Sequence, residues 1–154
     1  MKTGGIPVAE PKTETFAVTV NYGLAVEESA RAGQYGWLNE SITSFNFPTA
    51  RSGGHRLEAV LVHFGRVIET DDVLAELDKM GLRAGELREL LAVGAEHPDK
   101  QREFPIVALD SKWQGQDDDW CVPCLDYWFG WRKLSLRWFT ANWCEDCRFL
   151  AFRK

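Results

Sequence analysis

Residues 101–154 read QREFPIVALDSKWQGQDDDWCVPCLDYWFGWRKLSLRWFTANWCEDCRFLAFRK, and this stretch decides the fold. Leu134, Leu136 and Trp138 alternate with Lys133, Ser135 and Arg137. A period of two predicts a half-buried strand, with the first set on the core and the second facing out. Residues 104–109 form a short apolar run, and residues 147–152 predict a final strand. Gly-, Asp- and Trp-rich segments separate these runs, as turns and loops do. Six of the seven Trp lie between Trp113 and Trp143. Large aromatics are costly to leave wet, so such a concentration is either core or a contact surface.

Upstream, Phe16, Val18, Val20 and Tyr22 alternate with polar or small residues, and residues 57–64 form a second apolar run. Both predict strands. Residues 27–32 predict a short helix ended by Gly33. Two longer helices follow. Thr70 suits an N-cap, Asp71 and Asp72 suit a first turn, and Gly81 stands where a left-handed C-terminal residue belongs. Val73, Leu74, Leu77 and Met80 make one apolar stripe. The next helix runs over about residues 84–97, with Leu87, Leu90, Leu91 and Gly94 on one face and Pro98 closing it. Residues 1–13, with Pro7 and Pro11, read as a flexible lead-in, and residues 14–154 as one domain.

The chain's 154 residues suit a single domain with a real core. The net charge of −5 lies entirely before residue 101: residues 101–154 hold 8 Lys/Arg and 8 Asp/Glu. A nucleic-acid binder would show a basic face, so a nucleic-acid partner is not expected. No apolar run has the roughly 20 residues of a membrane span. The first residues lack the apolar stretch of a secretory signal, so a cytoplasmic location is expected. A phage or virus particle component would equally lack one.

Cys121-Val-Pro-Cys124 and Cys144-Glu-Asp-Cys147 stand with 19 residues between them. This is the spacing of a four-thiolate zinc site, so Cys121, Cys124, Cys144 and Cys147 are candidate metal ligands. Zinc ribbons usually carry Gly or basic residues in and after each knuckle, whereas here Cys124 is followed by Leu125-Asp126-Tyr127 and Cys147 enters an expected core strand. Neither pair follows a strand at a helix N-terminus, which argues against a thioredoxin-like motif. The three His are far apart in sequence. Asp117 to Asp119 read as a solvated acidic turn, not a calcium loop. No catalytic constellation is visible, and an enzyme is not expected.

Residues 101–109, Trp113, Val122-Pro123, Leu125, Arg132, Leu134, Leu136, Trp138-Phe139, Trp143 and residues 147–151 together resemble the C-terminal region of variable proteins of diversity-generating retroelements. Phe64-Gly65, residues 72–74 and Glu86-Leu87 resemble the same group's upstream portion. The resemblance implies an α+β, C-type-lectin-like fold, related to that of formylglycine-generating enzymes, with small antiparallel sheets, two central helices and a loop-rich C-terminal half. It also implies a variable region over about residues 101–154. A fixed framework, here Val122, Leu125, Leu134, Leu136, Trp138 and Phe149, would present positions rewritten by adenine-directed mutagenesis. Display positions would then be residues 117–121, Cys124, residues 126–131, residues 140–142 and residues 144–146, with Cys147 as framework.

The expected function is recognition of a protein or other macromolecular ligand, without a cofactor. The candidate contact residues are Asp118, Asp119, Trp120, Tyr127, Trp128, Phe129, Trp131, Lys133, Ser135, Arg137, Thr140, Asn142 and Glu145. Among them Trp120, Tyr127, Trp128, Phe129 and Trp131 are the expected anchors, because aromatics dominate binding hot spots. The alternative is an interaction protein built on a zinc ribbon.

Overall fold

The computed structural model describes residues 10–154. The chain runs β1 (Lys12–Asn21), α1 (Val26–Ala32), β2 (Trp37–Leu38), β3 (Gly54–His63), β4 (Ile68–Glu69) and α2 (Thr70–Lys79). It continues through β5 (Leu82–Ala84), α3 (Leu87–Glu96), α4 (Lys100–Glu103), β6 (Ile106–Val107) and β7 (Trp113–Gln114). It ends with β8 (Trp120–Trp128), β9 (Trp131–Trp138), β10 (Asn142–Trp143) and β11 (Arg148–Arg153).

The class is α+β, but the sheets are not small and antiparallel as expected. One mixed nine-stranded sheet has the order β1-β3-β11-β6-β8-β9-β2, with β5 added to β11 and β7 to β8. Two of its pairings, β11 with β6 and β2 with β9, are parallel. A separate ribbon pairs β10 with β4.

The sheet separates two cores. On one face Val18, Ala59, Leu61, Ile106, Leu125 and Leu134 pack against Val26 and Ala30 of α1 and Leu87, Leu90 and Leu91 of α3. On the other, Val60, Val62, Val107, Val122, Cys124 and Phe149 pack against Val73 and Leu77 of α2 and Trp143 of β10. Successive side chains of a strand point to opposite faces. Strands covered on both faces therefore need apolar residues at every position, as in the run Ala59-Val60-Leu61-Val62.

Several boundaries move. β1 begins at Lys12, inside the expected lead-in; residues 1–9 lie outside the described residues. Thr70 is the first residue of α2 and does not cap it. Its hydroxyl donates to the Phe139 carbonyl and accepts from Trp143 Nε1 at 2.8 Å, which ties α2 to the β10 segment. Gly81 does take a left-handed φ of 74° behind the helix. The α3 segment starts at Leu87 because residues 82–84 pair with β11. Glu86 and Glu89 close a reciprocal capping box at its start.

Candidate functional site: the tip of the β8–β9 hairpin

Strands β8 and β9 pair from Cys121↔Trp138 to Trp128↔Trp131, which leaves Phe129 and Gly130 as a two-residue turn. Both have positive φ, 49° and 84°, as a type I′ hairpin requires. Gly130 is the usual solution. Phe129 is not, because a left-handed φ crowds a side chain against its own backbone at about 1–2 kcal/mol. Its ring gains little burial in return: it is 91% exposed and stacks on Trp128 at 4.9 Å between centroids.

The cross-strand register assigns each neighbour to a face. Arg132, Leu134, Leu136 and Trp138 stand with Tyr127, Leu125, Pro123 and Cys121 on the α3 side. Trp131, Lys133, Ser135 and Arg137 stand with Trp128, Asp126, Cys124 and Val122 on the other. α4 reaches only the margin of this second face, where Arg102 and Glu103 border a pocket with Asp126, Trp128 and Arg137, and Trp128 stays 54% and Trp131 56% exposed. β2 extends it. Trp37 pairs with Lys133, whose ammonium lies 5.5 Å from the Trp37 ring centroid. Trp131 sits directly over Gly36, where a Cβ would come within 3.2 Å of its own Cβ. The result is a patch of Trp37, Trp128, Phe129 and Trp131 with Lys133 at its side.

The hairpin is clamped just behind its tip. Arg132 is buried and donates to the carbonyls of Pro98 (3.1 Å), Gly94 (2.7 Å) and Gly33 (2.5 Å) and to Gln101 Oε1 (2.9 Å). Its guanidinium also lies 4.9 Å from the Tyr35 ring centroid. Those carbonyls sit at and just beyond the C-terminal ends of α1 and α3, where partial negative charge accumulates and a cation belongs. Gln101 Nε2 in turn donates to the carbonyls of Asp126 and Lys133, one on each strand. Nothing in the sequence singled out Arg132 or Gln101 as more than family-like residues; their role rests on contacts distant in the chain.

Not every expected contact residue is free. Asp126 is buried, and its Oδ2 accepts from Ser135 Oγ at 3.0 Å and Arg137 Nη2 at 2.9 Å. Ser135 and Arg137 therefore hold the strand pair together as well as facing outward. Asp126 and Cys124 were expected on display and are buried: Cys124 points into the α2-side core, and Asp126 lies under Ser135 and Arg137 beside residues 101–105. Trp138 errs the other way. It shares a face with Leu134 as the alternation predicts, but the α3 layer ends under Leu136 and Trp138 is 60% exposed. It borders an open cleft of about 630 Å³ with Trp113, Cys121 and Leu136.

The remaining candidates lie elsewhere. Trp120 is eight residues from Trp128 on one strand, about 26 Å at the usual rise. There the Lys112 ammonium lies between the Trp120 and Phe139 rings, at 5.4 and 4.6 Å from their centroids. Asp118, Asp119, Thr140, Asn142 and Glu145 are exposed in that half of the molecule. The candidates thus form two groups, with Tyr127, Trp128, Phe129, Trp131 and Lys133 at the tip.

The four sulfurs do not converge. Cys121 and Cys124 are three residues apart on a regular strand, which puts them on opposite faces. Cys124 and Cys147 are buried in the α2-side core, and Cys144 lies beside Cys147. A four-thiolate zinc site would need β8 to be rebuilt, and no three metal-ligating side chains gather among the described residues. The ring Nε2 of His55, His63 and His97 each bonds a backbone carbonyl, of Ser52, Glu145 and Ala17 respectively.

Sequence reasoning found no cleft with perturbed carboxyls, yet one exists. Glu86 and Asp110 line a cleft of about 470 Å³ with Thr49, Arg51 and Lys112. Burial pushes both carboxyls up, against the pull of nearby cations. The Glu86 carboxylate is already committed to the α3 capping box, the Thr49 hydroxyl at 2.9 Å and Arg51 at 3.2 Å. The Glu-x-x-Glu spacing at residues 86–89 was the available signal. No helix of the described residues is long and apolar enough to cross a membrane. Compared with family models, curated proteins and solved structures, the chain matches none.

Proposed function

We propose that this chain is a binding protein, not an enzyme, that recognises a protein partner through the aromatic patch at the β8–β9 tip. The observation that carries the proposal is Phe129. A bulky ring is held at 91% exposure on a backbone conformation that Asn or Gly would adopt without strain. Folding gains nothing from that choice, whereas a partner gains a projecting anchor between Trp128 and Trp131. The Arg132 and Gln101 clamp fixes the hairpin before binding, so little ordering cost falls on association. Trp37, Trp128 and Trp131 are the residue type that hot spots favour.

The finer identity belongs to the same proposal: a C-type-lectin-like variable protein of a diversity-generating retroelement. Its support is the family-like sequence over residues 101–154 and the division of the hairpin into a buried middle and an exposed tip. Trp is not reached from an Asn codon by adenine substitution, so Trp120, Trp128 and Trp131 are fixed or derive from another codon. DNA sequencing around the gene tests this part: a near-identical template repeat and a reverse transcriptase are expected close by, and their absence removes the retroelement reading.

Affinity capture from host lysate tests the binding part. The wild-type chain should retain a discrete protein that Trp128→Ala/Trp131→Ala loses, with the melting temperature of the variant within a few degrees. A variant that retains the same protein would move the binding surface away from the tip.

A further inference from the structure

The chain carries two Cys-x-x-Cys segments of identical spacing, and the fold treats them differently. Cys121 and Cys124 lie within β8 and project from opposite faces of the sheet. Residues 144–147 instead form a four-residue turn between β10 and β11, closed by the Cys147 N–H donating to the Cys144 carbonyl at 3.2 Å. The turn brings Sγ of Cys144 to 3.0 Å from Sγ of Cys147. Cys144 is exposed and Cys147 is buried.

The geometry points to Cys144 and Cys147 as a thiol-oxidation site, an exposed attacking sulfur with a buried resolving sulfur, that closes to an intramolecular disulfide on meeting a small-molecule disulfide such as glutathione disulfide. In the first step the Cys144 thiolate attacks one sulfur of that disulfide. A mixed disulfide forms and one thiolate of the small molecule leaves. In the second step Cys147 loses its proton and attacks Cys144 Sγ, and the second small-molecule thiolate leaves. Two protein thiols are oxidised, one external disulfide is reduced, and the released thiolates take up the two protons. A sulfur–sulfur bond of about 2.05 Å requires the pair to close by roughly 1 Å, within reach of an exposed turn.

The order of attack follows from the environment of each sulfur. Burial first, then the hydrogen bond and charge of Cys144, push the Cys147 thiol up to about 12. A protonated, covered thiol does not attack the external disulfide. Capping Cys144 removes that charge, and with it one obstacle to ionising Cys147. Cys124, fully covered and pushed up by burial, is excluded from the exchange in the folded chain.

The two identical spacings supply their own control. The folded protein is incubated with glutathione disulfide, its remaining thiols are alkylated, and the peptides are mapped by mass spectrometry. The Cys144–Cys147 link should exceed the Cys121–Cys124 link about ten-fold or more. In urea the two should form to comparable extents, because the loop sizes are the same. Cys147→Ser should stop at a stable glutathione adduct on Cys144. Cys144→Ser should leave Cys147 free in the folded state, and because position 144 lies in an exposed turn this second variant tests the assignment without placing a serine in the core. A folded protein that forms both links equally, links Cys144 to Cys124, or leaves Cys144 unreacted would overturn the assignment.

Discussion

Phe129 and Tyr35 each carry one feature that folding does not require, a left-handed φ under a bulky ring and a buried hydroxyl. Asn adopts a left-handed φ more readily than Phe, so Phe129→Asn should leave stability unchanged or raise it by up to about 1 kcal/mol. Chemical denaturation reads that change, and loss of the captured partner reads the function. Tyr35 places a buried hydroxyl against Gly94 with no hydrogen-bond partner among the described residues. Tyr35→Phe should therefore be neutral or stabilising. Gly94→Ala would bring a Cβ to 1.9 Å from that hydroxyl and should cost about 1–3 kcal/mol, part of which Tyr35→Phe restores. The exposed Trp and Phe of the tip were legible in the sequence as a core-or-contact cluster. Only the register divided it, leaving Trp143 buried and Trp128 exposed. Trp138 was misplaced because alternation reports a face and not where the cover over that face ends.

The β8–β9 hairpin is positioned by elements distant in sequence. Arg132 makes bonds to acceptors near the ends of α1 and α3 and to α4. A lysine presents a compact charge and cannot span these acceptors with a planar fork. Arg132→Lys should lower unfolding stability by about 2–3 kcal/mol, read from the denaturation midpoint at unchanged slope. It should also weaken partner capture, since the clamp directly behind the tip loosens. The long helices were legible through their apolar stripes, and Gly81 marked one end correctly. Thr70 was misassigned as a cap because its hydroxyl bonds Phe139 and Trp143 instead, a use that local sequence cannot show. The Cys-x-x-Cys spacing was equally ambiguous: a turn gathers two sulfurs, whereas a strand separates them, and the two segments of this chain do one each.

The main sheet has a core on each face, and the tip aromatics are exposed where that cover stops. The central stretches, residues 59–62 of β3, 106–107 of β6 and 149–152 of β11, are apolar on both faces and buried. The tip of β8–β9 and the two-residue β2 at the sheet edge lie beyond the α2 layer. The strands were readable as apolar runs, but the mixed order β1-β3-β11-β6-β8-β9-β2 was not, because the insertion of β11 between β3 and β6 rests on contacts distant in the chain. No metal is expected to support this sheet, so a chelator should leave the melting temperature unchanged, whereas a structural zinc ribbon would unfold. The central claim is that the tip aromatics serve recognition and not folding. The most direct measurement pairs thermal unfolding with partner capture for Trp128→Ala/Trp131→Ala. A melting temperature within a few degrees of wild type, with the partner lost, is the predicted result. An unfolded variant, or a folded one that still holds the partner, would contradict it.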